Sequence, residues 1–559
     1  VVRGRIVVTG IVTIAVLAGI VRKDSAAQAP DWTPVQGMAL KDPAQVYPGK
    51  DGTVTVKLES KPATINVSGT PLGARPFGSD APGPTSLDGP TIHVRPGGTI
   101  RVTFDNQLGG AAQSTDPPTN IHYHGLHVSP EHDSDNIFRT FDNGQTYKSV
   151  VEVTKDQPTG TYWYHVHFHG LSEGQLFGGL SGLLIIDGLS KHMPAEWRGL
   201  DQRQFALRDV QTSQGSIVTQ NNISIPNPST RLVNALYKPT FAMRQNHYEL
   251  WRLANIGPNV FYKLQFRDRA RSARHVRFAI IAEDGVPVWR VAQRDTLLLA
   301  PGKRFDVLLV AKRPGTYDLM SLQYAQRYVA TPAQPPPVDT TALTPKPIPV
   351  EIVNGQKVPV DQTLATAKVV ASKDPLTPAT PLPQSLAPKE DFSDDPVSEA
   401  RKRTFRFQYT PTGQPFQTMI NDTVFSPYEM PMAAPVKDTV EQWTLINQTT
   451  DDHPFHIHVN GFQVISVNGK PYTAHGHQDV VNVPAQTLDE TTHKLVDGRV
   501  VIRQKFKRFT GWFVFHCHIL QHEDIGMMAT VQVRDRATDP IEPPPEYRGP
   551  DPGHGGHAG

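Results

Sequence analysis

Apolar and polar residues alternate through most of this chain, in short runs that end at Gly, Pro, Asn or Asp. Period-two alternation predicts half-buried strands, and frequent punctuation keeps them short. Three stretches share one ending. Residues 90–106 close as T-I-R-V-T-F-D-N, residues 239–255 as Y-E-L-W-R-L-A-N, and residues 431–447, more loosely, as V-E-Q-W-T-L-I-N. A second element also recurs: G-T-Y-W-Y-H-V-H from Gly160, G-T-Y-D-L-M-S-L from Gly315 and G-W-F-V-F-H-C-H from Gly511. The pattern predicts three related β-sandwich domains, at about 45–190, 191–330 and 395–540. A Pro/Thr/Lys-rich stretch, 331–394, reads as a linker running over the surface, and 541–559 as a disordered, low-complexity tail.

Composition refines this picture. A chain of 559 residues is too long for one core, and its 51 prolines and 43 glycines favour turns and strands over long helices. A net charge of +2 with no basic block gives no reason to expect nucleic-acid binding. No phosphate-cradling or dinucleotide glycine motif is present. Residues 1–29 read as a targeting segment. Arg3 and Arg5 precede an apolar run over 6–21, and Ala27-Gln28-Ala29 offers a cleavage site. Arg22, Lys23 and Asp24 follow the run directly, so an uncleaved N-terminal anchor is the alternative to cleaved export. Both put the folded part in the periplasm or outside the cell. No adjacent Arg-Arg pair favours twin-arginine export.

The candidate chemistry lies at the second repeated element. Five residues after its Gly stand His165, Met320 and His516, and seven after it His167, Leu322 and His518. Between them stand Val166, Ser321 and Cys517, so ligand-type residues occupy only the first and third copies. Cys517 is the sole cysteine and sits in H-C-H-I-L-Q-H-E-D-I-G-M-M. A thiolate, imidazoles and a weak axial Met form the ligand set of a blue-copper centre. Four histidine clusters each hold an H-x-H pair: His122/His124, His165/His167, His456/His458 and His516/His518. On a strand, both members of such a pair point to one face. Four strands therefore present eight imidazoles, the number that three coppers need with three, three and two each.

These motifs, H-Y-H-G, W-Y-H-V-H, H-P-F-H-I-H and the cysteine motif, make the sequence resemble the three-domain multicopper oxidases over about 45–535. The group includes laccases, bilirubin oxidases and bacterial cuprous or manganese oxidases. The resemblance implies three cupredoxin-like Greek-key β-sandwich domains and four copper ions. It assigns type 1 copper to His453, Cys517 and His522 with Met527 axial, and type 2 copper to His122 and His456. The type 3 pair would take His124, His165, His167, His458, His516 and His518. Resemblance to the bacterial enzymes also makes Glu523 a candidate proton relay, with Asp135, ahead of Asp133, as a second. His127, His169, His554 and His557 are extra histidines expected to stand outside the ligand set. The implied partners are O₂ and an electron donor. A laccase-like role on phenols or aromatic amines is the first expectation, because nine Met without a Met-rich run argue against a dedicated cuprous oxidase. Oxidation of Mn(II) or Cu(I) is the alternative. Two other roles fit less well: a non-enzymatic copper-binding envelope protein, and a copper nitrite reductase, which would not need the type 3 set.

Overall fold

The structure, a computed structural model, describes residues 32–109, 117–219, 229–324, 350–353, 356–359, 361–411, 414–489 and 491–545. The targeting segment, residues 331–349 of the Pro-rich stretch, and the tail histidines His554 and His557 lie outside them.

Each repeat forms two sheets around one core. In domain one, a sheet ordered Gln45–Val46, Gly89–Val94, Ser181–Ile186, Gly160–His165, His122–His124 faces a second, ordered Phe77–Ser79, Thr53–Ser60, Thr99–Asn106, Thr146–Glu152. Alternate residues Val54, Val56 and Leu58 of one strand and Ile100, Val102 and Phe104 of its neighbour enter the core, as their period requires. Domain two packs two larger sheets over Phe205, Trp251, Leu264, Phe266 and Leu319. Domain three sets a six-stranded sheet against the strands Val480–Val483, His453–Ile457, Gly511–Cys517 and Met528–Val533. Its core includes Phe405, Trp443, Phe455, Phe515 and Cys517.

The shared strand endings have one physical cause. Asn106, Asn255 and Asn447 are fully buried at the ends of Thr99–Asn106, Tyr248–Asn255 and Val440–Asn447. Each side-chain oxygen accepts from the backbone N–H two residues on, at Leu108, Gly257 and Thr449. Each amide nitrogen donates to two backbone carbonyls of neighbouring segments. One asparagine thus ends the strand and satisfies the turn that follows.

Two sequence expectations need correction. Residues 362–370 are not linker: Gln362–Val370 pairs with both Thr240–Arg244 and Gly315–Leu322, burying Leu364, Ala365 and Ala367 in the second core. Small alanines gave this strand a weak apolar signal amid Pro and Thr. Later in that stretch, Leu386 packs beside Trp197, and buried Phe392 takes its backbone contact from Gln463. Residues 541–545 are not part of a disordered tail either. They run along domain three, where Glu542 accepts from the Trp512 indole N–H at 2.8 Å and donates its own N–H to Gln532 at 3.0 Å.

Candidate metal centre

Strand alternation divides the cysteine motif between two sites. Cys517 pairs across the sheet with Phe455 and His516 with His456. Residues 453, 455 and 517 therefore face the core of domain three, while His456 and His516 face the opposite side, toward domain one. A short helix, Leu520–Asp524, then brings His522 back over Cys517. Two backbone bonds close this loop: Met527 N–H to His522 O at 2.9 Å, and Cys517 N–H to Met527 O at 3.0 Å. His453 Nδ1 lies 3.3 Å from Cys517 Sγ, His522 Nδ1 lies 3.8 Å from it, and the two rings' Nδ1 atoms are 3.3 Å apart. Met527 is fully buried in the same apolar cluster, whereas Met528 turns away to pack with Ile137, Phe138 and Phe425. The His453 Nε2–H meets Thr449 Oγ1 at 2.7 Å, which turns Nδ1 toward the thiol.

On the other side of the strand, eight imidazoles converge, four from domain one and four from domain three. His122 stacks on His458 at 3.8 Å between centroids, and His124 on His456 at 3.7 Å. One ring nitrogen of most of them is held from outside. His122 Nδ1 donates to Asp135 at 2.9 Å, His165 Nδ1 to Val166 O at 2.7 Å and His456 Nδ1 to Asp479 O at 2.8 Å. His516 Nδ1 lies 3.0 Å from Glu523 Oε2, and His167 Nδ1 lies 3.5 Å from Oε1. The other nitrogens turn inward. Nε2 of His122, His165, His456 and His458 is buried with no hydrogen-bond partner in the structure. His167 Nε2 faces His516 Nε2 at 3.1 Å, and His124 Nδ1 faces His518 Nε2 at 3.2 Å. Burial lowers His165 to about 3 and His167 to about 4, and it holds His122, His124, His456, His458 and His518 well below the ordinary imidazole range. Neutral rings with converging lone pairs fit metal cations, which would satisfy nitrogens otherwise left unpaired at a cost of roughly 1–3 kcal/mol each.

The carboxylates separate by place. Glu523 is fully buried, bridges toward His167 and His516, and accepts from Ser172 Oγ at 3.0 Å. Burial disfavours its ionisation, but those two imidazoles outweigh burial and hold the carboxyl below its usual range. Asp135 lies against His122; burial pushes it up to about 8, with the Tyr123 N–H pulling the other way. Asp133 does not join the cluster. It is 53% exposed and paired with Arg139, because the backbone turns between the two aspartates. His127 Nδ1 donates to Val459 O at 3.0 Å, and His169 packs edge-on to Phe425; neither enters a ligand group among the described residues.

Sequence reasoning missed several residues. Asp479 Oδ1 lies 3.2 Å from His124 Nε2, and the domain-two residue Arg304 holds both carboxylate oxygens at 2.6 and 2.8 Å. Asp524 accepts three backbone N–H bonds at the start of the domain-one helix Ser172–Phe177. The charges Lys303, Arg304 and Asp306 within the apolar run 297–310 were the available signal, since buried charge in a strand demands partners.

Comparison with known proteins agrees with this geometry. Family models described as multicopper oxidase match residues 85–191, 199–341 and 399–537. A multicopper oxidase of Staphylococcus haemolyticus is 25% identical over 459 residues, covering 80% of this chain and 82% of that one. A laccase of Bacillus subtilis is 23% identical over 494 residues, covering 80% and 88%. A solved multicopper oxidase of Campylobacter jejuni, described as a metallo-oxidase, superposes with a TM-score of 0.68 at 23% identity, covering 89% of this chain and 95% of that one. With matched domains spanning all three cupredoxin-like sandwiches and both donor clusters in place, the chain belongs to the multicopper oxidases and is a copper-dependent oxidoreductase.

Proposed function

We propose that the protein holds four coppers and passes single electrons from a donor at the Cys517 site to O₂ at the eight-imidazole cluster. Four electrons and four protons convert each O₂ to two waters. The observation that carries this reading is the tripeptide His516-Cys517-His518, whose thiol lies among His453 and His522 while its imidazoles lie in the other cluster. Copper bound at these positions would supply one-electron redox chemistry and O₂ binding. In this reading His453, Cys517, His522 and Met527 form the type 1 site, and His122 and His456 the type 2 site. His124, His165, His167, His458, His516 and His518 hold the type 3 pair.

The protein's own groups have distinct tasks. Covalent bonds from Sγ through the backbone to two imidazoles give electrons a short route. Glu523 touches rings of both domains, where it can hold and pass a proton. Asp135 fixes the His122 tautomer. On the donor side, Tyr409 lies edge-on to both His453 and His522, at 5.9 and 5.8 Å, and Phe416 beside it is 61% exposed. This aromatic approach supports a phenol or aromatic amine donor. A metal ion such as Mn(II) or Cu(I) is the second reading, supported by the solved relative described as a metallo-oxidase. The basic and apolar residues of 1–29 support function outside the cytoplasm.

Copper-loaded protein should show intense visible absorption from the thiolate and a near-ultraviolet band from the coupled pair. Oxygen uptake is then measured with a phenol, an aromatic amine, Mn(II) and Cu(I). Loss of the first assignment would follow from a phenol and amine rate no higher than background beside rapid metal-ion turnover. Absence of both absorption bands after anaerobic loading and reoxidation would refute the oxidase reading itself.

A further inference from the structure

Domain two supplies no imidazole, yet its backbone lies against the cluster. Gly302, at φ +82°, sits where an added Cβ would come within 2.9 Å of His518 Cδ2 and 3.0 Å of His124 Cε1. Two residues on, the fully buried Arg304 guanidinium donates to Asp479 Oδ1 and Oδ2, to Gly302 O at 3.0 Å and to Asp284 O at 2.9 Å. Its Nε–H reaches Thr161 O at 3.3 Å, so all its donors are engaged. Asp284 holds the other end of Asp479: Oδ2 accepts from the N–H groups of Asp479 and Val480, both at 3.1 Å, and from Lys303 Nζ at 2.9 Å. Asp479 is thus fixed by domain two at both main chain and carboxylate.

That fixed residue contacts two stacked rings from different domains. Its carbonyl accepts from His456 Nδ1, and its carboxylate from His124 Nε2. His124 is the exception among the held rings. His122, His165, His456 and His516 are held at Nδ1 and turn Nε2 inward, while His124 is held at Nε2 and turns Nδ1 toward His518. The opposite tautomer would set a bare Nε2 lone pair against a carboxylate and an N–H against the site. The outer hydrogen bond decides which nitrogen a ring offers to a metal.

We propose that Asp284 and Arg304 of domain two are positioning residues of the copper cluster, acting through Asp479 to fix His124 in the tautomer that presents Nδ1, while Gly302 leaves room for the His124 and His518 rings. This rests on the cluster reading above. The test is copper retention by the reconstituted full chain against a chelator, read together with the thiolate band and the melting temperature of the copper-free protein. Asp479→Ala should lose cluster copper on the order of 10–100-fold more readily while keeping the visible band. Asp479→Asn, whose amide oxygen can still accept from His124 Nε2–H, should recover most of that retention. Arg304→Lys should fall between them, since one ammonium cannot fork onto two oxygens. Gly302→Ala disturbs the rings without changing charge and should give the same cluster-specific loss, even where Asp479→Ala fails to fold. The proposal is overturned if Asp479→Ala and Gly302→Ala retain cluster copper like the native chain. It is equally overturned if the visible band and apo melting temperature fall together with the cluster copper in every variant. Native protein that loads only the Cys517 site would instead refute the cluster assignment, before any variant is compared.

Discussion

Replacing Asp524 with alanine would open the seam across which the eight imidazoles are shared. Asp524 ends the helix that carries His522, but its carboxylate serves domain one. Oδ1 accepts from the N–H groups of Gly170 and Ser172, each at 3.0 Å, and Oδ2 from Glu173 at 2.8 Å. These donors open the helix Ser172–Phe177, whose own N-cap residue, Leu171, offers no side-chain acceptor. A carboxylate from another domain therefore does the work of a cap. Leaving three N–H groups, those of buried Ser172 and Glu173 and half-buried Gly170, without this acceptor costs roughly 1–3 kcal/mol each at most. Relief of a buried acid offsets part of that, because burial and then the Glu523 charge hold Asp524 well above its usual pKa. A net loss of about 3 kcal/mol is the expected size. Asp524→Asn keeps one acceptor oxygen and should lose about half as much. The sign with pH follows from the raised pKa. Its contribution is fully present below the unfolded value of about 3.9 and is lost as pH rises through the folded value, so the alanine deficit should be larger at about pH 5 than at about pH 8. A three-domain chain need not melt in two states, so hydrogen exchange at the amides of Gly170, Ser172 and Glu173 is the direct assay. About 3 kcal/mol corresponds to roughly hundredfold faster exchange there. Unchanged protection at all three amides, with an unchanged melting temperature, would refute the reasoning.

Cys517→Ser should abolish the visible thiolate band and turnover while leaving copper bound by the eight imidazoles, as metal analysis would show; loss of all copper would place the two sites in one unit. Glu523→Gln should slow oxygen reduction by about 10²-fold or more, because a positioned carboxylate that can take up and pass on a proton is removed. Donor-driven bleaching of the visible band in rapid mixing should keep its native rate, and equal slowing of both steps would exclude the relay role. The copper-free protein should be acid-labile. His165 and His167 titrate near 3 and 4 when folded, below the unfolded value of about 6.5, so their neutral state is stabilising above that value and the stability is lost as pH falls. Each ring should withdraw about 2 kcal/mol between about pH 7 and pH 5, and bound copper should push the acid transition lower. An apoprotein melting curve flat over that range would contradict the burial of these rings.

The ligand residues were legible because two short-range regularities carry them. Period-two alternation puts both members of an H-x-H pair on one face, and the repeat aligns His165 with His516. His122 and His124 lie within one strand, while His167, His458 and His518 stand one or two residues past the ends of theirs, so strand alternation carries the pairs to the site without containing all of them. The supporting residues were not legible. Asp479, Arg304 and Asp284 act on the cluster through contacts spanning more than a hundred residues of sequence, and each alone reads as an ordinary charge. Asp524 reads as a helical acid beside a ligand, yet its bonds cross to another domain. Strand Gln362–Val370 was hidden for a different reason: two of its four core residues, Ala365 and Ala367, are alanines, whose apolar signal is weak. The D-S-D segment shows the limit of counting. Asp133 and Asp135 are two apart, but on an irregular loop that spacing no longer fixes a common face, and only Asp135 turns inward.

The same geometry explains why one copy of the repeat can carry the proposed electron-accepting site. The position of Cys517 faces the core in every domain: Val166 is fully buried in the first, and Ser321 in the second, where Arg231 donates to its hydroxyl. A thiol there is buried by default, beside two outward residues. It becomes a metal site only with partners at fixed offsets. Domain three has His453 three residues before the first His of its H-x-H pair, and His522 and Met527 four and nine residues after His518. Domain one has Thr119, Leu171 and Leu176 at the matching offsets from its own pairs, and Thr119 is committed to Gln175 by a 2.8 Å hydrogen bond. Both outer domains therefore offer imidazoles to the seam, but only domain three backs them with a thiol and its partners on the core side. In the proposed reading, electron flow toward the seam would therefore be one-sided, fixed by His453, Cys517 and His522 on two strands and a short helix and by Met527 just beyond it.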